Sequence, residues 1–146
     1  MTVTLASLAR QTGMTVLDHL EQEIQIPVLD GPQAQGDLIV VPLRLVSAAV
    51  QIRDDPRWQA VPPEGIELLR GEAGGNPHTL VAEPGTCRWT VNVTDADGLA
   101  IGVFSASAPV YLLHPEHGGS GCAPGTYVVR RQREHDGHRR ARLVAD

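Results

Sequence analysis

At 146 residues, with 42% apolar side chains, the chain suits one domain around one core. Its five large aromatics (Trp58, Trp89, Phe104, Tyr111 and Tyr127) are too few for a base-stacking surface, which counts against single-stranded nucleic acid. The net charge of −5 is uneven: residues 1–129 hold 6 Arg against 14 acids (−8), residues 130–146 hold 6 Arg against 3 acids (+3), and lysine is absent. A basic tail on an acidic body disfavours a general nucleic-acid binder.

Residues 4–23, "TLASLARQTGMTVLDHLEQE", are the one helical segment. Leu5, Leu8 and Ala9 recur at helical spacing, as do Val16, Leu17, Leu20 and Ile24. Gly13 divides two short helices, and Thr15 suits the cap of the second. The segment opens before any charge, with the first at Arg10, so neither a signal peptide nor an apolar run of membrane length is expected, and the expected location is cytoplasmic.

Past Pro27 the period changes. "GDLIVVPL" (36–43) reads as a buried strand ended by a proline that also suits an edge. "RLVSAAVQI" (44–52) fits strand or helix, and "DDPRWQAVPPEG" (54–65) reads as a loop. Strand-like runs then follow at 66–71, 78–83, 87–93, 99–105, 109–114, 125–132 and 140–144. Turn sequences separate them, with Asp97-Gly98 a strong hairpin signal and "HGGSGCAPG" (117–125) a long glycine-rich connection. The expected fold is mainly β: a small antiparallel barrel or sandwich over residues 27–146, preceded by an N-terminal helical segment over residues 1–26.

Chemistry concentrates in two places. His114 and His117 end one strand and begin a loop; they converge only if the chain turns at Pro115. His78, at the start of another strand, is the nearest third ligand, and Glu83 and Glu116 offer carboxylates. Such a set suits a divalent transition metal. The competing reading is loop histidines that hold the backbone. The second place is the arginine run, Arg130, Arg131, Arg133 and Glu134. There, guanidinium groups on one strand face suit an acidic protein partner, or else a solvated edge. Cys87 and Cys122 lack CxxC spacing and read as reduced thiols; Cys122 lies near His114 and His117 in sequence, so a Cys–His nucleophile is one arrangement the spacing allows. No complete catalytic set is visible, so an enzyme is less expected than a non-enzyme.

Three resemblances follow from these residues. "LASLARQTGMTV" resembles the opening of MerR-type helix-turn-helix regulators, but it continues into Asp18, Glu21 and Glu23, which would repel phosphate. Asn76-x-His78-x4-Glu83 is similar to the first metal motif of cupins, with Asn76 in place of a histidine, and "APGTYVV" has the Pro-Gly of the second motif without its histidine. That resemblance implies a barrel. Finally Gly71-Glu72, Gly75-Asn76-Pro77-His78, "LHPEHG" (113–118) and "PGTYVVRRQRE" (124–134) resemble a family of small bacterial proteins without an assigned function. It implies that His78, His114, His117 and the Arg-Gln-Arg-Glu run form one shared feature. The functional expectation is a non-catalytic interaction or assembly module that self-associates. The alternative is a cupin-like domain that binds a transition metal or small molecule through His78, His114 and His117.

Overall fold

The computed structural model describes residues 3–16, 22–70, 77–135 and 141–143, of which 69, 70, 133–135 and 141–143 are described by their backbone alone. Short apolar runs between Gly/Pro turns become strands. In chain order they are β1 (Val28–Leu29), β2 (Gln33–Gln35), β3 (Leu38–Pro42), β4 (Val50–Ile52), β5 (Gln59–Ala60), β6 (Ile66–Arg70), β7 (Pro77–Ala82) and β8 (Cys87–Thr90). Then follow β9 (Val93–Asp95), β10 (Ala100–Ala106), β11 (Val110–His114), β12 (Gly118–Cys122), β13 (Gly125–Arg131), β14 (Arg133–His135) and β15 (Ala141–Leu143). The helices are α1 (Leu5–Thr12) and the single-turn α2 (Leu43–Val46).

A five-stranded sheet runs β1-β12-β11-β7-β6 and a six-stranded sheet β2-β3-β13-β10-β8-β5. All their pairings are antiparallel except β1 with β12. Two-stranded ribbons β4-β9 and β14-β15 complete the fold. The mainly-β expectation holds, in the form of two packed sheets rather than a closed barrel. Between the sheets lie Leu80, Ala82, Val110 and Leu112 from the first, against Leu38, Val40, Phe104, Tyr127 and Val129 from the second. The Phe104 and Tyr127 ring centroids are 5.1 Å apart.

Both outer faces are also covered. α1 lays Leu5 and Leu8 on Val81, Tyr111 and Leu113 of the first sheet, joined by Val16 and Ile26. Val103 and Val128 of the second sheet pack on Val50 and the segments around α2. Strand β11 is therefore buried along its whole length and reads as an apolar run from Val110 to Leu113, unlike a strand with one wet face. The N-terminal helix packs on its own β domain. Thr4 and Ser7 form a reciprocal capping box at its start, and Gly13 ends it at φ 75°. Residues 14–16 and 22–26 hold no helix; the rest of the expected second helix, 17–21, lies outside the described residues.

Other expectations change. The glycine-rich connection is mostly strand β12. Its glycines serve close approach: a Cβ on Gly119 would lie 2.6 Å from Ile26 Cδ1, and one on Gly121 would lie 2.5 Å from the Pro27 carbonyl oxygen. The Asp97-Gly98 turn joins β9 to β10, which belong to different sheets, so it makes a corner and not a hairpin. Strand β3 lies inside its sheet, not at the edge, and Pro42 ends it where α2 begins. The 44–52 segment splits into helix and strand, and the 54–65 loop contains β5. Among the described residues no helix is long and apolar enough to cross a membrane.

Candidate functional site

Period-2 alternation decides which side chains enter the sandwich. His78 shares its face of β7 with Leu80 and Ala82, and His114 shares its face of β11 with Val110 and Leu112, so both histidines point between the sheets. Both are buried. A three-residue turn, 115–117, then brings His117 back over His114. The His78 and His114 ring centroids are 4.5 Å apart, and those of His114 and His117 are 4.4 Å apart. The three histidines named from the sequence thus form one stack, which runs from the buried interior to the exposed His117.

The second sheet supplies their partners. The two-residue turn Gly36-Asp37 between β2 and β3 carries Asp37 inward, with Gln35 beside it. The Gln35 amide nitrogen lies 2.9 Å from the Leu112 carbonyl, 3.3 Å from the Gly118 carbonyl and 3.2 Å from Ser120 Oγ. Those acceptors orient the amide, so Gln35 Oε1 faces His78 Nδ1 at 2.9 Å, while Asp37 Oδ1 faces His78 Nε2 at 2.8 Å. Both ring nitrogens of His78 thus have an oxygen partner from the second sheet, one from an amide and one from a carboxyl group. Gln132 braces the same turn: its amide donates to the Gly36 and Leu38 carbonyls at 2.6 and 3.0 Å, and its backbone N–H donates to the Asp37 carbonyl. His114 plays a different part. Its Nδ1 accepts the backbone N–H groups of Glu116 and His117 at 3.0 and 3.2 Å, which places its proton on Nε2 and ties the 115–117 turn.

This geometry bears on the metal set. A ligand needs a free nitrogen lone pair. Both His78 nitrogens face hydrogen-bond acceptors, and His114 Nδ1 faces backbone N–H groups. Glu83 sits just past the far end of β7, five residues or about 16 Å of strand from His78. Among the described residues no group of three or more His, Cys, Asp or Glu is placed to hold a metal ion. The Cys–His arrangement also separates: Cys122 pairs with Val110 while His114 pairs with Gly118, about 13 Å along the strand. Burial pushes the Cys87 and Cys122 thiols up to about 12, the reverse of an activated nucleophile.

The arginine run divides as well. Arg130 lies on the outer face of β13, where its guanidinium takes both oxygens of Asp95, at 3.0 and 2.8 Å, and reaches Asp97 at 2.9 Å. It is an internal strut, not a free docking charge. Arg131 is half-buried, and the side chains of Arg133 and Glu134 lie outside the described residues. Asn76, the departure from the cupin pattern, also lies outside them.

Gln35 and Asp37 are not among the residues the sequence singles out, and Gln132 enters there only within the Arg-Gln-Arg-Glu run. Gly-Asp between Gln35 and Leu38 is itself a two-residue hairpin signal, and it would have placed Asp37 at a strand entrance. Residues 34–132 match the model of a family described as a domain of unknown function (DUF8820). That span starts next to Gln35 and ends at Gln132, and so contains the whole network. No curated protein and no solved structure matches the chain.

Proposed function

The chain belongs to this domain family of unknown function, and from its own surface and interior we propose a non-catalytic interaction module that pairs with a second copy of itself. The observation that carries this reading is a set of exposed apolar residues beside one exposed ion pair. Val28 and Leu29 of β1 and Leu45 of α2 are 38%, 51% and 56% exposed, and the Asp30–Arg44 ion pair at 4.0 Å links the two elements. Exposed large apolar residues on neighbouring elements are candidates for a contact surface. β1 is also the last strand of its sheet, so one backbone edge faces outward. Apolar residues beside one acid and one base suit a two-fold contact, in which Asp30 of each copy meets Arg44 of the other. The committed ring nitrogens of His78 and the raised thiols support the absence of a catalytic role.

Size-exclusion chromatography with light scattering tests the reading. The expected result is a dimer that the double variant Leu29→Glu/Leu45→Glu converts to a monomer with unchanged circular dichroism. A wild-type monomer at about 100 μM, well above the concentration a specific contact needs, overturns it. An acidic partner on Arg131, Arg133 and Glu134 is the weaker form of this reading, because Arg130 is spent on Asp95. The metal alternative would require His78 to release Gln35 or Asp37. Elemental analysis of the purified protein decides it: stoichiometric metal lost in His114→Ala/His117→Ala would establish a metal site.

A further inference from the structure

The N-terminal helix does more than cover the first sheet. Where α1 crosses the ends of β7 and β11, it leaves a cleft of about 480 Å³, inside the roughly 300–1,000 Å³ range of small-molecule sites. We propose that this cleft binds a small organic ammonium compound with a compact apolar body. The proposal is independent of the self-association reading.

The walls specify the body of the ligand. Leu8 of α1 and Val81 of β7 line the cleft, and the turns on its far side contribute Pro84 and Pro109. Such walls favour apolar area, at about 25 cal/mol for each Å² removed from water. The charge specifies the head group. Glu83 is the one charged residue in the lining, and it is exposed. Tyr111, only 9% exposed, adds an aromatic ring to the apolar lining. Burial raises the Tyr111 phenol above its ordinary value, so its hydroxyl remains a neutral hydrogen-bonding group. An anion would meet Glu83 with no cation in the lining to offset it.

The cleft also holds its shape. The Gln11 amide nitrogen donates to the Pro63 carbonyl at 2.9 Å and to the Ala82 carbonyl at 3.2 Å, which fastens α1 both to the turn before β6 and to the end of β7. Proline rings fix φ in the two turns opposite. A preformed site avoids an ordering cost on binding. The helix wall lies outside the matched residues 34–132, so this site depends on the N-terminal extension.

The test uses the full chain and two probes of opposite charge, phenethylammonium and phenylacetate, followed by amide NMR. Phenethylammonium is expected to bind saturably at millimolar levels, with shifts confined to residues 7–11, 81–84 and 108–111. Glu83→Gln, at an exposed position, is expected to weaken it at least tenfold, and phenylacetate is expected not to bind. Shifts elsewhere, equal binding of the two probes, an unchanged affinity in Glu83→Gln, or no saturation by roughly 10 mM would each overturn the proposal.

Discussion

The pair His78–Asp37 lies between the two sheets, while Arg130–Asp95 lies outside the second sheet, and the two are stabilised in different ways. His78 and Asp37 are 0% and 5% exposed at the side chain, and every polar atom of the imidazole must be met by protein. Gln35 Oε1 and Asp37 Oδ1 meet its two nitrogens at 2.9 and 2.8 Å. Arg130 keeps its charge at any ordinary pH and grips Asp95 with two parallel bonds. Burial pushes the Asp95 carboxyl up. The Arg130 hydrogen bonds, the Asp97 and Leu99 backbone N–H groups and the arginine charge outweigh it, and hold the group at about 2 against its ordinary 3.8. One pair therefore depends on the whole sandwich for its solvation, the other on a single corner turn.

The largest effect is expected at the interior pair. His78→Leu leaves Asp37 buried without its hydrogen-bond partner and should cost about 3–5 kcal/mol in urea unfolding. Adding Asp37→Leu should restore most of that loss, because an apolar pair of similar volume needs no compensation. A double variant as unstable as the single one would show that the pair itself, and not the stranded charge, holds the sheets.

The outer pair should be weaker and pH-dependent. Asp95→Asn is expected to cost about 2 kcal/mol at neutral pH, the equivalent of its displaced pKa. The folded carboxyl titrates below the unfolded one, so its contribution is complete above about pH 4 and fades as pH falls through about 2. Wild type and variant stabilities should converge on acidification, and parallel curves would remove Asp95 as the cause. The smallest effect is expected far from both pairs. Thr4→Ala removes one half of the α1 capping box and should cost about 1 kcal/mol, with the amide signals of Gln35 and His78 unchanged. A change there would mean that the helix and the interior network are coupled.

How far the site was legible can be judged residue by residue. The condition for His114 and His117 to meet, a turn at Pro115, follows from strand alternation, and the 115–117 turn meets it. His78 was legible as a third member because it begins a strand. Its partners were not, since Gln35 and Asp37 stand more than forty positions earlier and reach it only because β3 and β7 face each other across the sandwich. The glycines of 118–121 read as loop for a related reason. Nothing local says that the Ile26–Pro27 backbone will press against them, and close approach needs a strand without side chains as much as a turn does.

The sequence by itself determined the mainly-β class, the strands β3, β6, β7, β8, β10, β11 and β13 to within a few residues, and the helix that ends at Gly13, because periodicity and turn chemistry are local. Only the tertiary structure decided that His78 and His114 point between the sheets, that Gln35 and Asp37 meet His78, that Arg130 is a strut and that β12 is a strand. Each of those outcomes depends on which distant group occupies a few ångströms of space, and in an antiparallel sandwich that neighbour is set by how the sheets stack, not by order along the chain.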